Sequence, residues 1–423
     1  MSDEPKLTIL GKLFLLLFLA ACAAGAWWAF TPHSKGGVAG FTSAFNSSNP
    51  TAPTTKSPTD GNSTAKSSVL DAPAISSTGG PIEIGLAYGT EKKRWLEWAA
   101  EEFPKTAEGR GIQVNLIPLG SIEAAQAITA GDKRIDAWSP AADLYTETFA
   151  RDFELKHSRP PIAQSEQLAL TPMVFVSWGE RTDAFLTHYK EMSFKTVGEA
   201  LKAPGGWDGI AQKPDWGFYK FAHTHPSQSN SGLMALLLMA YDYHDKTRGL
   251  TMADILNVKF NSWMVDLESS VVEFPNSTGN LMKDMVLKGP SSYDCVLVYE
   301  SVAIDYLKNA EGRWGSLRVT YPRKNLWSNN PYYVLNTPWS DGRRQAAAKA
   351  FMKYLMSEPA QKMALTHGFR PGNPAVPILF PESPFTTGQK FGLKVDLNGI
   401  CESPKGEVIH NLLVGWNNNV RAH

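Results

Sequence analysis

The stretch after Pro81 alternates short apolar runs with helically spaced apolar residues, and no other feature of the 423-residue sequence constrains the fold as tightly. Residues 82–87 (IEIGLA) read as a strand and 88–90 as a turn, after which Trp95, Trp98, Ala99 and Phe103 share one helical face. Thr90 suits an N-cap, and Glu91 suits the first turn electrostatically. Residues 112–116 (IQVNL) read as a second strand, Ser121 as the cap of a short Ala-rich helix ending at Gly131, and 136–138 as a brief third strand. Further on, 173–176 (MVFV) read as a strand suited to a first crossover, 231–240 as a helix apolar on every side, and 295–299 (CVLVY) as the centre of a parallel sheet. Residues 344–367 form two helices broken at 357–359, with Pro359 in a first turn and Gly368 at the end. Residues from about 380 onward carry little pattern. Strands alternating with helices imply βαβ units and an α/β class with sheets covered on both faces.

The residues before Pro81 belong to a different regime. Residues 13–30 (LFLLLFLAACAAGAWWAF) are uncharged and long enough to approach the span of a bilayer, with Lys6 and Lys12 before them and Trp27-Trp28 at the far end. Leu19-Ala20-Ala21-Cys22 resembles a lipobox, which would lipidate Cys22, yet the sequence stays apolar through Phe30. A single-pass anchor and a lipid anchor both remain open, and both tether the body outside the cytoplasm at the cell membrane. Residues 31–80, rich in Ser, Thr, Pro, Gly and Asn, lack the apolar content to fold and read as a disordered linker. Lys+Arg (41) and Asp+Glu (41) cancel, so no bulk field exists to hold nucleic acid. Three cysteines with no C-x-x-C pair argue against a disulfide scaffold or a thiolate zinc site.

Four segments repeat one design, in which a strand ends, a hydroxyl or amide residue follows, and a helix begins. They are Gly89-Thr90, Trp138-Ser139-Pro140, residues 227–232 (SQSNSG), and Tyr299-Glu300-Ser301. In an open parallel sheet such junctions gather at one edge, where helix N-termini offer unpaired N–H groups to a ligand. Each junction alone reads as an ordinary cap; their recurrence points to a shared cleft.

Residues 217–234 (GFYKFAHTHPSQSNSGLM), 293–301 (YDCVLVYES) and 351–377, including GFRPGNP at 368–374, resemble type II periplasmic binding proteins. Over 81–377 the chain looks most like the molybdate/phosphate-like branch of bacterial extracellular solute-binding proteins. The resemblance implies two Rossmann-like lobes with mixed, mainly parallel sheets, joined by two crossovers. Lobe 1 is then expected over 81–174 and 320–423, and lobe 2 over 175–319. It also implies ligand contacts from Thr90, Ser139, Ser229, Asn230, Ser231 and Tyr299, with Glu300 as a further candidate. If Glu300 faces the cleft, a dianion is disfavoured by about 4 kcal/mol at ~4 Å; if it points inward to a Lys or Arg, it says nothing about ligand.

Five neutral hydrogen bonds at about 1 kcal/mol each, with about 1 kcal/mol from helix dipoles, fall short of the ~8 kcal/mol of micromolar binding. Burial on lobe closure must supply the rest. His223-Thr224-His225 lacks a third ligand at metal-site spacing, and no nucleophile elbow, Walker loop or zincin motif occurs. Cys295 reads as a small buried hydrophobe, and the run Lys92-Lys93-Arg94 as a solvated helix face. The expectation is a non-enzymatic, cofactor-free receptor that binds a small solute or oxyanion and passes it to an ABC permease. A sensory or assembly module on the same fold is the alternative.

Overall fold

The computed structural model describes residues 80–307, 310 and 312–420; the expected anchor and nearly all of the linker lie outside the described residues. Among the described residues no helix is long and apolar enough to cross a membrane. The strands are β1 (Ile82–Tyr88), β2 (Ile112–Pro118), β3 (Ala137–Ser139), β4 (Ile162–Gln167), β5 (Ala169–Trp178), β6 (Phe221–Ala222), β7 (Cys295–Tyr299), β8 (Leu317–Thr320), β9 (Trp327–Ser328), β10 (Pro331–Leu335) and β11 (Arg370–Pro371). They form two sheets. One has the order β2-β1-β3-β10-β4; the other runs β11-β5-β7-β6, with β8 and β9 also paired to β5.

In the first sheet β1 lies between β2 and β3, parallel to both, with Leu86 opposite Leu116 and Ala137. Its residues from Ile84 to Tyr88 are all buried, as an interior parallel strand requires. The helix Lys93–Glu102 lays Trp95, Leu96 and Ala99 on one face, joined by Phe351 and Leu355 of the helix Gly342–Leu355. Ile128, Phe149 and Phe153 cover the opposite face over Ala87 and Trp138. The second sheet packs against the helix Asn230–Tyr243, which is buried on every side from Asn230 to Tyr241.

Both sheets are mixed, but the expectation that parallel pairing dominates is corrected. Among the named strands described, only β1–β2, β1–β3 and β6–β7 pair parallel. The antiparallel pairings are those of β10 with β3 and β4, and of β5 with β7, β8, β9 and β11. The reason is connectivity: parallel neighbours need a long crossover, whereas β4 passes to β5 and β9 returns to β10 through links of one or two residues that run in opposite directions between the sheets, so β10 meets β4 and β9 meets β5 antiparallel.

The chain passes between the two sheets and their cores three times rather than the two expected: at Leu168, at Asn329-Asn330, and again at Phe369-Arg370, where the chain enters β11. Gln361, fully buried, ties the first of these passages to the chain just beyond the last: its Nε2 donates to the Leu168 carbonyl (2.9 Å), and its Oε1 accepts from the Gly372 (2.8 Å) and Asn373 (3.2 Å) amides. A Cβ at Gly372 would lie 2.3 Å from the Gln167 carbonyl oxygen, so the close approach requires glycine. After this passage the chain joins the second body. Val408, Ile409, Leu412 and Trp416 of the helix Gly406–Asn419 enter the core around β5 and β7. Placing all of 320–423 with the first lobe therefore departs from the packing observed.

Candidate functional site

A cleft of about 740 Å³ opens between the two bodies where strand C-termini give way to helices. From the first body, Gly89–Glu91 follow β1, the run Pro118–Glu123 follows β2, and Ala141 follows β3. From the second, Ser227–Asn230 precede the helix Asn230–Tyr243, Asn276–Asn280 open the helix Thr278–Lys288, and Tyr299 ends β7. Helices beginning at Ser121, Asn230 and Thr278 thus start at its walls. Their first amides have no intrahelical acceptor, and their dipoles make the cleft favourable to negative charge.

Four of the seven residues expected at the site line this cleft: Thr90, Ser229, Asn230 and Tyr299. Asn230 carries the most specific geometry. Its Nδ2 donates to the Tyr299 hydroxyl (2.8 Å) and contacts Met234 Sδ (3.3 Å). Its Oδ1 is buried and has no partner, although the residue is only 7% exposed. A buried acceptor left unmade costs about 1–3 kcal/mol, so a ligand donor there gains more than an ordinary contact. Burial also pushes the Tyr299 phenol well above its ordinary value, keeping it a neutral donor.

Three expected residues lie off this lining. Ser139 is fully buried on β3; its carbonyl accepts from the Gly89 amide (3.1 Å), and its hydroxyl does not reach the cleft lining. Ser231 is fully buried behind the wall, where its Oγ meets Thr224 Oγ1 and Thr278 Oγ1, both at 2.6 Å. It joins the two second-body loops rather than facing a ligand. Glu300 points inward: its carboxylate takes Arg370 Nε at 2.7 Å and Nη2 at 2.8 Å, and accepts from the Tyr321 hydroxyl. Burial opposes the Arg370 cation, but Glu300 more than offsets that and holds the guanidinium above its ordinary value. Of the two orientations left open for Glu300, the inward one is observed.

The cleft contains two carboxylates that reasoning from spacing did not weigh together. Glu123 folds back so that Oε2 accepts from the Gly120 amide (3.3 Å). Glu91 pairs with Lys92 Nζ at 2.6 Å. Lys92 is itself fully buried, against the expectation of a solvated face, and also donates to the Pro140 carbonyl (3.2 Å) and Asn330 Oδ1 (2.9 Å). The cause is a 3₁₀ turn at Thr90–Lys92 before the α-helix: its tighter winding turns Lys92 under the cleft floor while Lys93 and Arg94 stay in solvent. Burial pushes the Lys92 ammonium below its ordinary value, and Glu91 offsets part of that. The floor therefore holds a neutralised ion pair, and the lining includes no Lys, Arg, His or Cys.

Residues 276–280 were missed entirely, although Ser277 caps the helix through its side chain and Leu281, Met282, Met285 and Val286 follow at helical spacing. His223 and His225 belong to no cluster of three or more His, Cys, Asp or Glu suited to a metal among the described residues. Cys295 is fully buried, and burial pushes its thiol up to about 12.

Residues 84–370 match the profile of the family described as bacterial extracellular solute-binding protein. No curated protein matches the chain at a significant level. Among solved structures, the sulfate-binding protein of Mycobacterium tuberculosis is similar at 17% identity and TM-score 0.52, covering 79% of this chain and 97% of its own. The substrate-binding protein of an Agrobacterium tumefaciens ABC transporter is similar at 15% identity and TM-score 0.54, with coverages of 82% and 97%. The ferric binding protein of Campylobacter jejuni is similar at 12% identity and TM-score 0.54, with coverages of 79% and 97%. At such identities these likenesses establish a shared fold and nothing about the ligand.

Proposed function

Given that the chain belongs to the bacterial extracellular solute-binding protein family, we propose that it is the receptor of an ABC-type importer. In this reading its two lobes clamp a small solute and deliver it to a permease partner. The body would lie in the periplasm or extracellular space, tethered through the apolar segment at residues 13–30. The observation that carries the reading is the unpartnered, buried Asn230 Oδ1 in a cleft that three helices enter N-terminus first.

The same chemistry narrows the solute. Helix N-termini and hydroxyls favour an oxyanion, the Glu91–Lys92 pair adds no net charge against it, and the one further lining carboxylate, Glu123, is turned back onto the Gly120 amide. Asn230 Oδ1 accepts but cannot donate, so an oxyanion that reaches it brings an O–H or N–H of its own. Thr90, Ser229, Asn230 and Tyr299 remain the proposed contacts, joined by Gln228, Thr278 and the amide of Gly279.

The test is calorimetric titration of the full chain with hydrogen phosphate, sulfate and molybdate. Binding is expected for at least one, and Asn230→Ala should weaken it about five- to tenfold, the scale of one buried hydrogen bond. If none binds or raises the melting temperature, the oxyanion reading is wrong.

A further inference from the structure

The segment after Gly372 lies wholly outside the family match at 84–370, and its helix Gly406–Asn419 reaches the back of the cleft. Trp416, 1% exposed, sits between the two loops that form the second-body wall. Its ring meets His225 edge-on at 4.9 Å and Phe274 at 5.3 Å. His225 leads into the cleft residues Ser227–Asn230, and Phe274 leads into Asn276–Asn280. The indole N–H donates to Glu268 Oε2 at 2.6 Å, while Glu268 Oε1 meets His223 Nε2 at 2.9 Å, just before the first loop. One residue on, exposed Asn417 accepts from Ser227 Oγ at 2.8 Å, and Ser227 lines the cleft. The two loops are also joined to each other by His225 N–H donating to the Pro275 carbonyl at 3.0 Å.

From these contacts we infer that Trp416 and Asn417 are positioning residues for the ligand-binding wall, so the C-terminal helix sets the shape of the cleft without touching its contents. The inference rests on the reading that this cleft takes the solute. The physical basis is that loops are the least self-supporting part of the fold, and a loop held at one geometry by an outside brace loses less entropy when a ligand arrives. Trp416 braces both loops at once through ring contacts, and Asn417 pins the tip of one through a hydrogen bond.

The experiment compares Trp416→Phe, Asn417→Ala and Val408→Ala in the full chain by amide hydrogen exchange, with hydrogen phosphate and sulfate titrations alongside. Trp416→Phe keeps an aromatic ring but loses the N–H to Glu268. Asn417→Ala alters an exposed residue and should not disturb folding. Val408→Ala removes buried bulk from the same helix eight residues earlier, and so reports a purely structural role. Exchange at Ser227–Asn230 should quicken about fivefold in Asn417→Ala with an unchanged melting temperature, the scale of one lost hydrogen bond. In Trp416→Phe it should quicken in both loops, while Val296–Val298 stay as protected as in the parent. Val408→Ala should lower the melting temperature and leave the loops' exchange as it was. Loops unchanged in both Trp416→Phe and Asn417→Ala, or quickened equally by Val408→Ala, would overturn the inference. Failure of both anions to bind the parent chain counts against the oxyanion reading alone, and the exchange data then decide the role of the tail.

Discussion

Glu91 and Glu300 occupy similar places in the two halves of the molecule: each lies in the first helical turn after a strand, Glu300 directly behind β7 and Glu91 three residues past β1. Each is held by a cation, yet one lines the cleft and the other is sealed behind it. The difference lies in where the cation comes from. Lys92 is the next residue, so its pair with Glu91 forms within one turn and leaves the carboxylate at the cleft floor. Arg370 arrives from seventy residues away on β11 and draws Glu300 into the body, with its remaining N–H groups on the carbonyls of Lys394 and Val395. A strand-to-helix junction thus sets where a carboxylate starts, and the partner sets which way it faces.

That contrast can be broken most forcefully at Arg370. Arg370→Ala leaves Glu300 buried without its counter-ion and should cost about 3–5 kcal/mol of stability. Urea denaturation of the full chain measures it, with solute affinity of the folded protein unchanged. A small stability change with a large affinity change would mean that Glu300 faces the solute after all. Lys92→Met should have the reverse emphasis. Glu91 keeps some contact with water, so the stability loss should be smaller, about 2 kcal/mol. Its charge then acts on the cleft uncompensated, and oxyanion affinity should fall at least tenfold by calorimetry, or about 1.4 kcal/mol.

A third buried carboxylate, Glu268, sharpens the comparison, because its partner can lose its charge. His223 faces only acceptors, with Nδ1 2.9 Å from the Thr224 carbonyl and Nε2 2.9 Å from Glu268, so both nitrogens donate and the ring is cationic. Burial alone would push this imidazole down, but the Glu268 carboxylate raises it above its ordinary value. The native state therefore holds the proton more tightly than the unfolded chain. Its contribution is complete below the ordinary histidine pKa of about 6.5 and is lost as pH rises through the folded value. Urea midpoints across that range should decline with pH in the parent and decline less in Glu268→Gln. This is the smallest of the three effects.

Local chemistry was legible in the sequence, and long-range pairing was not. The first βα unit could be read from IEIGLA and the aromatic face of Trp95, Ala99 and Phe103, because adjacent residues and helical spacing determine both. The same holds for Thr90, Ser229, Asn230 and Tyr299, which lie where strand-to-helix junctions place them. The Arg370 partner of Glu300 depends on a tertiary contact with no sequence spacing to reveal it. Lys92 was misread because a charge run signals a solvated face unless the winding changes from 3₁₀ to α beneath it. The tail did carry a signal, since Val408, Ile409, Leu412 and Trp416 follow helical spacing, but Gly406, Gly415 and three consecutive asparagines at its end dilute the propensity. The cap at Ser277 was equally readable and was hidden by the Gly and Asn residues around it.

The three passages of chain beside Leu168 bear on how such a clamp can move. β5 is hydrogen-bonded to β11 at Leu170 and Ala169, and to β9 at Pro172 and Thr171, so the links between the bodies form a short ribbon rather than separate strings. A ribbon bends readily across its flat face and resists shear and torsion within it. If the lobes close on a solute as proposed, such a ribbon would guide them about one rotational axis, like a leaf spring. Each closure should bring Asn230 back to the same place opposite Thr90, and solute selection inherits the repeatability of the hinge.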